Sequence, residues 1–209
     1  MSFTNYMAKN FPDLSFRSPL FYSWNASLRF ELGVNESSVS IHENPLYLQG
    51  VYQRAIELFE SLHTPNDELY MVVDITNFDT GHILYRKSNI FAKYVKEHSL
   101  LYRLQYVRIT EEDDDEIYHV DRFSLKCHRS DIRYAALLKA ICNQDMGILP
   151  NIHYPLYFVN ETKGTIFYVY DDRGCDLLGV DVGTIRPAYE KFNEWILDYD
   201  RTEIDETFA

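Results

Sequence analysis

This chain of 209 residues is short of basic side chains: 20 lysines and arginines stand against 32 aspartates and glutamates, a formal charge of −12. Phosphate contacts need a lysine and arginine surplus, so this balance argues against nucleic acid as a partner, and equally against an anionic membrane surface. It suits a basic protein partner. No apolar run approaches the roughly 20 residues of a membrane span. The opening Met1-Ser2-Phe3-Thr4-Asn5-Tyr6 carries no charged segment leading into an apolar one. Cysteine is scarce: Cys127, Cys142 and Cys175 are an odd number without CxxC spacing. The expectation is a cytoplasmic protein with reduced thiols. The sequons at Asn25, Asn35 and Asn160 then carry no meaning.

Signature motifs are missing too. There is no GxxxxGK[ST], GxGxxG or GxSxG, which disfavours phosphate-loop enzymes, dinucleotide oxidoreductases and α/β-hydrolases of the usual kind. The seven histidines form no HExxH, and the acidic run 111–116 lacks the glycine and spaced ligands of a calcium loop. His119 and His128, with Cys127 beside the latter, are placed on one strand face, where a surface or core role outweighs a zinc site. No catalytic residue, metal or cofactor is expected.

What is present is the material of a folded core: 46% hydrophobic residues, with 17 tyrosines and 13 phenylalanines. Residues 2–11 read as a short amphipathic helix ended by Pro12, and 17–24 as an aromatic segment packed across the body. Leu28-Arg29-Phe30-Glu31-Leu32 alternates strictly, so it predicts a strand with a charged outer face, Arg29 and Glu31 forming an exposed pair, stopped by Gly33. Asn44-Pro45 opens a long helix in which Leu48, Val51, Tyr52, Ala55, Leu58, Phe59 and Leu62 recur at three- and four-residue spacing. Leu69 to Ile75 is nearly continuous apolar sequence, as in a central strand covered on both faces.

Asp79-Thr80-Gly81 predicts a turn and Ser88 a helix cap, with Ile90, Phe91, Tyr94 and Val95 inward. Residues 101–109 and 117–125 predict an antiparallel pair over an acidic loop, and 131–143 a helix. Tyr154 to Asn160, Thr165 to Tyr170 and the apolar run after Gly174 predict a three-stranded meander. Pro187 is read as opening a last helix, and the tail after Arg201 as frayed. The sum is an α+β fold, a mostly antiparallel sheet with helices packed on it and a C-terminal meander followed by a helix. One domain over 1–209 is expected, with 147–150 as the only candidate boundary between lobes.

The sharpest local signal is Tyr170-Asp171-Asp172-Arg173-Gly174-Cys175-Asp176. Aromatic and β-branched residues before it and apolar ones after it predict a hairpin turn over Asp172-Arg173, with Gly174 left-handed and Asp171, Asp172, Arg173 and Asp176 projecting. Together with Leu28–Gly33, and with the long helix and the Met71–Ile75 strand between, this stretch resembles an uncharacterised bacterial family of Bacillus-like organisms, the DUF3885-like domain of unknown function. The resemblance spans most of the chain and implies the fold and its intracellular setting. It brings no activity with it.

Three readings of the turn compete. In the structural one, aspartates bond turn amides and Arg173 pairs with a neighbouring carboxylate; turn-residue chemistry by itself accounts for every position but Arg173 and Asp176. In the second, a recognition loop presents an arginine among acids. In the third, Cys175 is a nucleophile with a histidine base, although its place at the start of a strand suits a small buried residue better. Candidate binding residues are thus Arg29, Glu31, Asp171, Asp172, Arg173 and Asp176, with Glu31 and Arg173 sharing one polar patch. The leading functional reading is a non-enzymatic, acidic protein-binding module, immunity- or antitoxin-like, for a basic partner. The other is a small enzyme or ligand-binding domain with a polar pocket at the turn. A cleft at that place favours the second, a flat tyrosine-rich face the first.

Overall fold

A computed structural model describes residues 1–17, 19–33, 45–77, 88–113 and 116–209. Seven strands make one sheet in the order β1-β7-β6-β5-β2-β4-β3, and every pairing is antiparallel. In chain order the elements are α1 (Phe3–Asn10), β1 (Ser27–Glu31), α2 (Pro45–Leu62), β2 (Glu68–Asn77), α3 (Ser88–Tyr94), β3 (Gln105–Asp113) and β4 (Glu116–His128). They continue with α4 (Tyr134–Cys142), β5 (Leu156–Asn160), β6 (Thr165–Val169), β7 (Gly174–Gly179), α5 (Val182–Lys191) and α6 (Arg201–Phe208). The fold is α+β. β5, after the 147–150 turn, pairs with β2, before it.

Strand alternation assigns each side chain to one of two cores. Leu69, Met71, Val73 and Ile75 of β2 point into the larger core with α2 and α4, while Tyr70 and Val72 point into a smaller one under α1. Both faces of β2 are therefore covered, as its unbroken apolar run requires. Along α2 the buried stripe is Tyr47, Val51, Ala55, Leu58, Phe59 and Leu62. Ser2 caps α1 through its side-chain oxygen, and α1 lays Phe3 and Tyr6 over the smaller core.

Several expectations need correcting. The acidic run supplies strand residues: β3 extends to Asp113 and β4 begins at Glu116. Arg17 pairs with Glu111 and the Tyr118 hydroxyl donates to the same carboxylate, which offsets like-charge repulsion there. The helix expected to open at Pro187 opens at Val182, where the Asp181 carboxylate accepts from the Thr184 N–H at 2.8 Å, and Pro187 lies inside it at the loss of one backbone bond. It ends at Lys191, and Tyr199 beyond it is exposed. The tail is a helix with Ile204 and Phe208 buried, Phe208 stacking on Tyr189 at 4.5 Å. His119 and His128 lie nine positions apart on an uninterrupted ladder and so face opposite sides of the sheet. The Asn44 cap and the 79–81 turn lie outside the described residues, as does the 114–115 connection.

Candidate functional site

β1 and β7 place Arg29 directly opposite Asp176 on the smaller-core face of the sheet. Alternation fixes which face Arg29 takes, and the 19–24 segment crosses that face and closes it. Arg29 is therefore buried at 7% exposure rather than displayed beside Glu31, which corrects the exposed-pair reading. Its Nε and Nη2 donate to the two Asp176 oxygens at 2.8 and 3.1 Å, and Nη1 reaches Asp200 at 3.4 Å. The guanidinium lies over the rings of Phe21 and Tyr22, 5.0 Å from each centroid, and 5.8 Å from that of Tyr170. Burial opposes its charge, yet the bonds and fields of Asp176 and the nearby Tyr170 and Asp200 outweigh that and raise its pKa. Asp176 also accepts the Phe21 N–H at 3.1 Å, and the Tyr22 hydroxyl donates to Asp200 at 2.7 Å.

The 170–174 loop folds back on itself. Asp171 accepts the Arg173 N–H at 2.7 Å and pairs with the Arg173 guanidinium, the short-range turn bond its sequence suggests. That pairing raises the pKa of Arg173. Asp172 accepts the Tyr47 hydroxyl at 2.7 Å. Asp171, Asp172 and Asp176 are all buried, so the turn projects Arg173 and not its acids. This corrects the picture of outward-facing carboxylates: each has found a donor inside. Gly174 is not left-handed either. Its need for glycine is steric, because a Cβ there meets the Phe30 carbonyl oxygen at 2.7 Å and the Tyr170 ring carbon bearing the hydroxyl at 2.7 Å. The Leu32 N–H donates to the Arg173 carbonyl at 2.8 Å, which ties the loop to the end of β1.

Between loop and strand end lies a cleft of about 480 Å³. Arg29, Glu31, Tyr170 and Arg173 line it, with Pro19 and Leu197 as apolar wall and Gly33 and Tyr47 at its α2 side. Three of the six candidate residues, Arg29, Glu31 and Arg173, thus meet at one opening. Asp171, Asp172 and Asp176 stand behind it as the framework. Glu31 is exposed and makes no ion pair among the described residues; Arg54 donates to its carbonyl oxygen at 2.9 Å, and the Glu31 charge partly offsets the burial that lowers the Arg54 pKa. Arg173 keeps 72% of its side chain exposed despite its pairing. Cys175 is buried, and burial first, then Asp176, pushes its thiol well above the ordinary range, so it offers no accessible thiolate. No group of three or more histidine, cysteine, aspartate or glutamate side chains suited to a metal occurs among the described residues.

Sequence reasoning missed Tyr47, Tyr22 and Asp200. Tyr47 has a signal, since it leads the Val51, Ala55, Leu58 stripe by four residues. Asp200, 171 positions from Arg29, has none.

An all-antiparallel α+β sheet with a buried arginine–aspartate pair behind an open cleft defines the class by architecture. The family model described as "Domain of unknown function (DUF3885)" matches residues 3–200, and the chain belongs to that family. A relative is the uncharacterized protein YnaE of Bacillus subtilis (strain 168), 30% identical over 210 residues that cover 95% of this chain and 99% of the relative. No solved structure matches the chain at a significant level. No described helix is long and apolar enough to cross a membrane.

Proposed function

We propose that the chain is a cytoplasmic, non-enzymatic binding module, immunity- or antitoxin-like in role, which holds a basic partner protein against the face carrying the cleft. The observation that carries this is how the charges near the cleft are used. Asp171, Asp172, Asp176 and Asp200 are committed to internal bonds, while Arg173 and Glu31 stand open at a rigid rim. Exposed Tyr22 and Tyr199 flank the same region of the chain. Tyrosine and arginine on a rigid base are the residues that dominate protein interfaces. The net charge of −12 favours a basic partner and sets its approach.

A small-ligand or enzymatic site at the same place draws support from the cleft volume, which falls in the roughly 300–1,000 Å³ range of such sites. Affinity capture from lysate of the native host, wild type against Arg173→Ala, separates the two. The expected result is a basic protein held by the wild type and weakened on the order of ten-fold or more by the variant. Equal capture by both forms, or an acidic protein, contradicts the proposal.

A further inference from the structure

The cleft also specifies what enters it, and this step rests on the binding reading above. Of the charged groups around it, Arg29 is bonded to Asp176 and Asp200, and Arg173 is bonded through Nε and Nη2 to Asp171. Five carboxylates, Glu31, Asp171, Asp172, Asp176 and Asp200, surround these two guanidiniums. Only the Glu31 carboxylate makes no hydrogen bond or ion pair among the described residues; Arg54 stands beside it, bonded through Nη1 to the Glu31 carbonyl oxygen at 2.9 Å, and the carboxylate itself opens onto the cavity. The half-buried ring of Tyr170, which already has the Arg29 guanidinium 5.8 Å from its centroid, forms one wall, and an aromatic ring in a cleft with a carboxylate is a setting that holds an ammonium or guanidinium. An anion would meet this surplus of acids, with Arg29 and Arg54 bonded inward and Arg173 paired to Asp171.

We infer that the cleft receives one cationic group, the ammonium of a lysine or the guanidinium of an arginine, with Glu31 as its counter-charge and Tyr170 as its wall. Pro19 and Leu197 supply apolar surface for the aliphatic stem that carries the charge. The partner's basic residue thereby seats in the opening while Arg173 remains at the rim.

Titration of the full chain with n-butylammonium and methylguanidinium, followed by amide resonances of Gly33 and Gly174, tests this. Both cations are expected to shift those resonances saturably in the tens of millimolar. Glu31→Gln weakens binding about five-fold, the order set by an exposed ion pair, and Glu31→Lys abolishes it. The two probes distinguish lysine from arginine as the better occupant. Acetate and phosphate are expected to leave the cleft resonances unmoved. Absence of cation shifts at Gly33 and Gly174, or cleft shifts with an anion that depend on Arg173, overturns the inference. If cations fail while capture of a basic protein still depends on Arg173, the partner reading stands and the occupant is wrong. If cations bind and no protein is captured, the reverse holds.

Discussion

Asp176→Ala is expected to lower the free energy of unfolding by about 3–5 kcal/mol, the cost of leaving one member of a buried ion pair without its partner. The magnitude follows from the environment of Arg29. Its guanidinium is buried under Phe21 and Tyr22, takes both Asp176 oxygens, and among the described residues has only a 3.4 Å contact to Asp200 in reserve. Asp176 also accepts from the Phe21 backbone, so the variant strands an amide as well as a charge. Chemical denaturation of wild type, Asp176→Ala, and Arg29→Met combined with Asp176→Leu reads this out. The paired replacement removes both charges at once and is expected to recover most of the loss. If the single variant unfolds at the wild-type midpoint, the pair does not hold β1, β7 and the 19–24 segment together.

Acid is expected to weaken the fold through His63. The ring is fully buried, stacks on Phe59 at 4.2 Å, shares its Nδ1 with the Phe59 carbonyl at 2.8 Å, and leaves Nε2 without a partner among the described residues. Burial is the largest influence and lowers its pKa from 6.5 to about 4. Between those values the unfolded chain binds a proton that the folded chain refuses. The contribution is therefore fully present above pH 6.5 and is lost as pH falls towards 4, amounting to about 3 kcal/mol over that window. Unfolding free energies of wild type and His63→Phe across this range check the sign. The wild type should lose more stability than the variant between pH 6.5 and 4, whatever their relative stability at pH 8. Parallel curves would show that His63 titrates alike in both states.

Much of the architecture was legible because periodicity is local. The α2 stripe, the doubly covered β2 and the C-terminal meander each follow from spacing within a few residues, and no distant contact overrides them. The site was legible only as an address. Alternation in 28–32 shows that Arg29 and Glu31 share a face, but what lies over that face comes from elsewhere. Residues 19–24 and Asp200 cover Arg29 and stop short of Glu31, so neighbours of identical pattern end with opposite exposure. Gly174 shows the same limit: turn grammar suggested a left-handed glycine, whereas the constraint is the Phe30 carbonyl on the adjacent strand. Pro187 misled because a proline at a helix start is common, and the Asp181 cap six residues upstream of it outranks it.

These observations make the Arg29–Asp176 pair a support rather than a contact surface, and the proposed binding role rests on Glu31 and Arg173. The most direct test is a crystal structure of the chain with the protein it captures. The account predicts a partner lysine or arginine inside the cleft, against Glu31 and the Tyr170 ring, with Arg173 at the edge of the buried interface. A partner seated elsewhere, with the cleft open to solvent, would contradict it.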